Sequence, residues 1–130
     1  MVNYFSGEEL RIIAEHWIRS EKKFEYLRDT GCRIAYQFSD QAKKQNGKAV
    51  FADTEKVKDK FKQFMPYDFV ITFYTPYTNA LDEEHLSRLM FHELNHIGYD
   101  PENNLFSIIP HDLEDFRDVI GRWGIDWIEA

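Results

Sequence analysis

The run LDEEHLSRLMFHELNHIGYD at residues 81–100 constrains the chain more than any other stretch. Leu86, Leu89, Met90, Leu94 and Ile97 recur with helical period and form one apolar stripe. Such a helix is stable in water only when the stripe is covered, so it demands a partner layer. Asp82 stands at the expected N-cap with acids behind it, and Gly98 stands where a C′ glycine stops a helix.

The partner layer is legible nearby. YDFVITFYTPY at 67–77 is dense in β-branched and aromatic residues and bounded by Pro66 and Pro76, which predicts a strand. CRIAYQFSD alternates Ile34, Tyr36 and Phe38 against Arg33, Ala35 and Gln37, a second strand. KAVFADTEKV, centred on Val50 and Phe51 after the turn signal QNGK at 45–48, is a third. KVKDKFKQF reads equally as a strand end or a short basic helix. Upstream, Ser6 and GEEL suggest a cap, and Leu10, Ile13, Ala14, Trp17 and Ile18 predict a helix from about residue 7 to 19, with DTG at 29–31 breaking any extension towards Leu27. Downstream, Phe106–Ile109 reads as a short extended piece, and Leu113, Phe116, Val119, Ile120 and Trp123 mark a last helix from Asp112 to about Trp123. The expectation is one α+β domain over residues 1–130: N-terminal helix, three-stranded sheet, central helix, C-terminal helix.

Composition narrows the class. The chain is 43% hydrophobic and 16% aromatic, which supports a packed core and not a disordered segment. No apolar run is long enough to span a bilayer, no signal segment opens the sequence, and the single cysteine, Cys32, excludes an intramolecular disulfide. These features set the expectation of a cytoplasmic protein with no membrane partner. The net charge of −7 argues against a dedicated nucleic-acid binder, although residues 41–78 hold seven lysines against four acids and keep a local version of that idea open. Lys56, Lys58, Lys60 and Lys62 alternate there, and a solvated face is their simpler reading.

HELNH at 92–96 carries the chemistry. On a helix His92 and His96 stack on one face, so both imidazoles reach one ion. Zinc accepts such nitrogens at roughly 2.0–2.1 Å. Glu93 lies about 100° round the helix from His92, beside the ion but not on it, where a carboxylate serves as general base towards water activated by the metal. The histidines fall at the edge of the stripe, between core and cleft, while Glu84, Ser87, Arg88 and Asn95 populate the outer side. The plain alternative is an amphipathic helix carrying two histidines by accident; a chance HExxH in a chain of this composition has odds of roughly 1–2 in 100.

A catalytic zinc takes three protein ligands and keeps one open position. The extended pattern HExxHxxGxxH is absent, because position 99 is Tyr and position 102 is Glu. His111, at the mouth of the last helix, is the first choice for third ligand; Glu114 is next, then Asp112 and Asp115. Asp112 also suits an N-cap or a partner for an imidazole N–H. His85 is too far along the axis to share the ion and reads as a surface residue, as does His16; Cys32 reads as a small core residue. Tyr74 and Tyr99 are candidate oxyanion donors, with packing the simpler role.

HELNH, the preceding YDFVITFYTPYTNALDEEHLSRLMF and the following IIPHDLEDFRDVIGRWGIDW together resemble the putative phage metallopeptidase family, over roughly residue 33 to Asp126. That family looks like a compact relative of SprT-type zincins. The resemblance implies a zincin-like domain of phage or prophage origin, acting in the host cytoplasm, with a sheet against the active-site helix. By this likeness His92 and His96 match the metal histidines, Glu93 the base and His111 the third ligand. The resulting expectation is a zinc-dependent metallopeptidase acting on a peptide or protein that lies along an exposed strand edge, the strand at 67–77 being a candidate. The rival is a non-catalytic metal-binding phage module that binds a host protein or nucleic acid.

Overall fold

The structure, a computed structural model, describes residues 1–110. In chain order the elements are β1 (Tyr4–Ser6), α1 (Glu8–Ser20), a 3₁₀ turn (Lys22–Phe24), α2 (Glu25–Asp29) and β2 (Ile34–Ser39). A hairpin of β3 (Lys44–Gln45) and β4 (Lys48–Ala49) leads to β5 (Ala52–Lys56) and a second 3₁₀ turn (Asp59–Phe61). β6 (Phe69–Tyr74), α3 (Thr75–Thr78), α4 (Glu83–Leu94) and a hairpin of β7 (Ile97–Asp100) and β8 (Leu105–Ile108) complete them.

The main sheet has the order β1-β2-β6-β5, so four strands stand where three were expected, and two hairpins lie outside it. β2 runs parallel to β6, while β1 and β5 pair antiparallel with their neighbours. β6 is therefore an interior strand. The expectation that residues 67–77 offer a free edge is corrected: both sides of β6 are hydrogen-bonded, and its dense apolar content reflects burial on a sheet interior.

Alternation divides the two faces. Phe69, Ile71 and Phe73 of β6 point into a core made with Leu10 and Ala14 of α1 and Leu89, Met90, Phe91 and Leu94 of α4. Both helices thus cover the same face. Trp17 and Phe24 meet the ring of Phe91 edge to face, at centroid distances of 4.8 and 5.4 Å. The indole N–H of Trp17 donates to the Ser87 carbonyl at 2.8 Å and ties α1 to α4. Phe24 and Phe91, both fully buried, each contribute roughly 1.5–3 kcal/mol.

Several sequence expectations need local correction. Ser6 does not cap α1: it lies in β1 opposite Gln37, and Gly7 occupies the N-cap without a side-chain bond. The N–H of Gly7 donates to the Tyr36 carbonyl at 3.1 Å, so the chain turns from strand to helix hard against β2. QNGK does form a turn, with Asn46 and Gly47 both at positive φ (53° and 77°), the geometry of a tight hairpin. Val50 and Phe51, expected at a strand centre, sit instead at the break between β4 and β5. Lys58 and Lys62 flank the second 3₁₀ turn and Lys60 lies within it; Lys56, Lys58 and Lys60 are solvated, in line with the simpler reading. Asp82 caps α4 as expected, accepting from the His85 N–H at 2.8 Å. α4 stops at Leu94, however, and Ile97–Asp100 is a strand. Gly98 is no helix stop: it stands opposite Ser107 in the β7–β8 hairpin, where a Cβ would meet the Ser107 hydroxyl at 2.7 Å. The predicted helix at 112–123 lies outside the described residues.

Gly7 supplies the test of this packing. A Cβ at Gly7 would stand 2.6 Å from the Tyr36 carbonyl carbon, and backbone cannot move aside as a side chain can. Gly7→Ala is expected to lower stability by roughly 1–3 kcal/mol, as overpacking does, measured by urea denaturation; an unchanged midpoint would contradict this junction.

Candidate metal centre

The end of α4 is buried on all sides, from Leu89 to Leu94, and the burial continues through Gly98. Past Leu94 the chain makes one more tight turn: the N–H of Asn95 donates to the Phe91 and His92 carbonyls, and that of His96 to the Glu93 carbonyl at 3.0 Å. This turn continues the helical path just far enough to bring His96 over His92. Their ring centroids are 5.2 Å apart with planes at 82°. Asn95, expected on the outer side, is 7% exposed, and its amide donates to the Phe91 carbonyl at 2.8 Å. It is buried because β7 folds back where a longer helix would have left it in solvent.

His92, Glu93 and His96 each offer a ligand atom, and these atoms all lie within 4.8 Å of one another. The three side chains are nearly inaccessible, at 8, 2 and 6% exposure. Glu93 Oε2 stands 3.9 Å from His92 Nε2, a separation too long for a hydrogen bond. Glu93 Oε1 accepts from the Thr54 hydroxyl at 2.9 Å, and that hydroxyl also lies 3.2 Å from the Glu93 carbonyl. Thr54 comes from β5, so the sheet edge grips the helix at its carboxylate. His96 Nδ1 meets the Ile109 carbonyl at 2.7 Å, and the Ile109 N–H donates back to the His96 carbonyl at 2.7 Å. The first contact makes Nδ1 the protonated nitrogen and leaves the lone pair on Nε2.

Burial pushes the Glu93 carboxyl up to about 8; the Thr54 hydroxyl bond opposes this, and the negative charge of Asp53 adds to it. Two imidazoles and a carboxylate so gathered fit a metal cation of the transition series. A cation beside Glu93 also corrects what burial does, because opposite charge favours the ionised form.

The group faces a cleft of about 430 Å³. One bank is the β3–β4 hairpin with the start of β5, the other the end of β8 with Pro110, and α4 forms the floor. The family model for putative phage metallopeptidases matches residues 2–130. The chain belongs to that family. No curated protein and no solved structure matches it. For a putative phage metallopeptidase the gathered His-Glu-His group at the cleft floor is the natural place for the metal that the family's name implies.

Other expected residues fall elsewhere. His111, Glu114, Asp112 and Asp115 lie outside the described residues. His85 is half-buried and not a free surface group: its Nδ1 lies 2.6 Å from the Asp82 carboxylate, within the helix cap. His16 is exposed on α1. Cys32 packs against the core, and burial raises its thiol to about 12, so it is inert. Tyr74 donates to Asp53 at 2.7 Å and Tyr99 to Asn104 at 2.7 Å, so neither hydroxyl is aimed at the group. Sequence reasoning missed Thr54 and Ile109. Nothing local marks them, since Thr54 meets Glu93 across 39 residues.

The raised pKa of Glu93 gives a stability test on metal-free protein. Between pH 4.5 and about 8 the folded chain keeps a proton on Glu93 that the unfolded chain has released. Stability from this group is therefore present below pH 4.5 and is lost as pH rises towards 8, by up to ~1.4 kcal/mol per pH unit. Glu93→Gln, which mimics the protonated acid, is expected to match wild type near pH 4.5 and exceed it at pH 8 in denaturant titrations. Parallel stability curves for the two proteins would show that Glu93 is ionised throughout.

Proposed function

We propose that this protein is a zinc peptidase of zincin-like, SprT-related fold. In this reading the ion is held by His92, His96 and a third ligand in residues 111–115, with His111 first and Glu114 second. The observation that carries it is the buried His92–Glu93–His96 group, in which the carboxylate stands beside the imidazoles and is oriented by a separate strand. When bound, the ion supplies Lewis acidity that lowers the pKa of water and polarises a carbonyl.

The chain's own residues then have distinct tasks. His96 is oriented by Ile109, which fixes the nitrogen it presents. Thr54 holds Oε1 of Glu93, and the other oxygen, Oε2, takes the proton from the attacking water and delivers it to the leaving amine nitrogen. The apolar floor around Glu93 keeps that proton from bulk water. A substrate peptide is received in extended form along the outer edge of β5, because among the described residues β5 pairs with β6 alone.

Glu93→Gln is expected to leave zinc content unchanged and to lower kcat by roughly 10²–10⁴-fold. Retained turnover in a clean preparation would remove Glu93 from the role. His92→Ala and His96→Ala are each expected to lose zinc by elemental analysis, and His111→Ala to lose more than Glu114→Ala. A positioning role for Thr54 predicts that Thr54→Val lowers kcat roughly tenfold or more, the worth of a hydrogen bond to a charged group, with KM and zinc content held. Thr54→Ser is expected to restore the rate; equal damage from both variants would point to packing alone.

A further inference from the structure

We infer that the cleft takes a branched aliphatic or aromatic side chain from the substrate residue next to the scissile bond. This rests on the hydrolytic reading above and adds the substrate class to it. Beside the polar group, the cleft is walled by Val50, Phe51 and Ala52 on one bank, Leu89 on the floor, and Ile108 and Pro110 on the other.

Ile108 is 40% exposed at the mouth of the cleft, although a strand of a surface hairpin accepts polar residues freely. Val50 and Phe51 sit half-buried at the break between β4 and β5, and Phe51 also packs against the core and the Tyr77 ring at 5.5 Å. An apolar side chain left exposed at the mouth of an apolar-walled cleft, as Ile108 is, marks a surface meant to be covered. The one acid on this bank, Asp53, gives its Oδ2 to the Lys43 ammonium and the Tyr74 hydroxyl. It sits on β5 next to Thr54, so the pleat sends the two side chains to opposite faces. A charged substrate side chain entering between Phe51 and Ile108 would shed water without gaining a partner there, whereas a leucine or phenylalanine gains by desolvation.

The volume agrees. At about 430 Å³ the cleft exceeds what one ion and a few waters occupy.

The experiment uses ¹⁵N-labelled full-length protein, metal-free, titrated with two blocked tetrapeptides, Ac-Gly-Leu-Leu-Gly-NH₂ and Ac-Gly-Ser-Ser-Gly-NH₂. The leucine peptide is expected to bind about tenfold tighter, as partial burial of such a side chain gives, with saturable shifts at the amides of Phe51, Leu89 and Ile108. Ile108→Asn is expected to abolish the preference and Ile108→Leu to keep it. Equal affinities for the two peptides, or shifts that spare both banks, would overturn the inference. Zinc uptake by the same sample is read separately. A protein that takes no zinc yet prefers leucine supports the subsite and refutes the hydrolytic reading. One that binds zinc without preference refutes the subsite and leaves the centre standing.

Discussion

A carboxylate at 2% exposure is costly to ionise, and the arrangement around Glu93 answers that cost. The side chain could not be moved outward without losing its place beside His92 and His96. Instead one hydroxyl, from Thr54, is supplied to one of its oxygens. The remaining deficit keeps the metal-free group protonated up to about pH 8, and a cation is the economical remedy. Every neighbouring element serves this single buried turn: α1 presses on α4 from behind through Trp17 and Phe91, β6 fills the space beneath, and β5 reaches over the top.

The second structural commitment is the return of the chain after His96. A helix continuing to Ile97 would have sent the following residues away from the cleft. Ending α4 at Leu94 lets the β7–β8 hairpin fold back, and Ile109 then closes on His96 with two hydrogen bonds of 2.7 Å. The same return places Ile108 and Pro110 at the cleft mouth. Orientation of a histidine and construction of a wall are thus one event in the backbone.

What could be read from the residues follows from the range of the interactions involved. HELNH and its stripe depend on neighbours three and four residues apart, so the helix, its Asp82 cap and the gathering of His92, Glu93 and His96 were all legible. The strands at 34–39 and 69–74 were legible from alternation and β-branched density. The order of strands was not, because nothing in YDFVITF distinguishes an interior strand from an edge except total burial, and β1 is too short to show a period. Thr54 and Ile109 were invisible for a related reason: their roles exist only once distant segments meet. Gly98 misled because a glycine closely opposed in a hairpin looks the same in sequence as one that ends a helix.

The parallel register of β2 with β6 joins segments some 35 residues apart, as the bond from Arg33 to Asp68 records. That stretch must be gathered before these two strands meet, and the entropy of closing it precedes the reward of their pairing. β5 lies inside that stretch and reaches β6 by a shorter loop, with Lys56 opposite Phe69. The turns that stack the imidazoles are set by local hydrogen bonds, while the helix itself needs its apolar stripe covered. The pairing of nitrogen donors is therefore a property of the local chain, whereas the restraint on the carboxylate exists only after Thr54 and Glu93 meet across 39 residues.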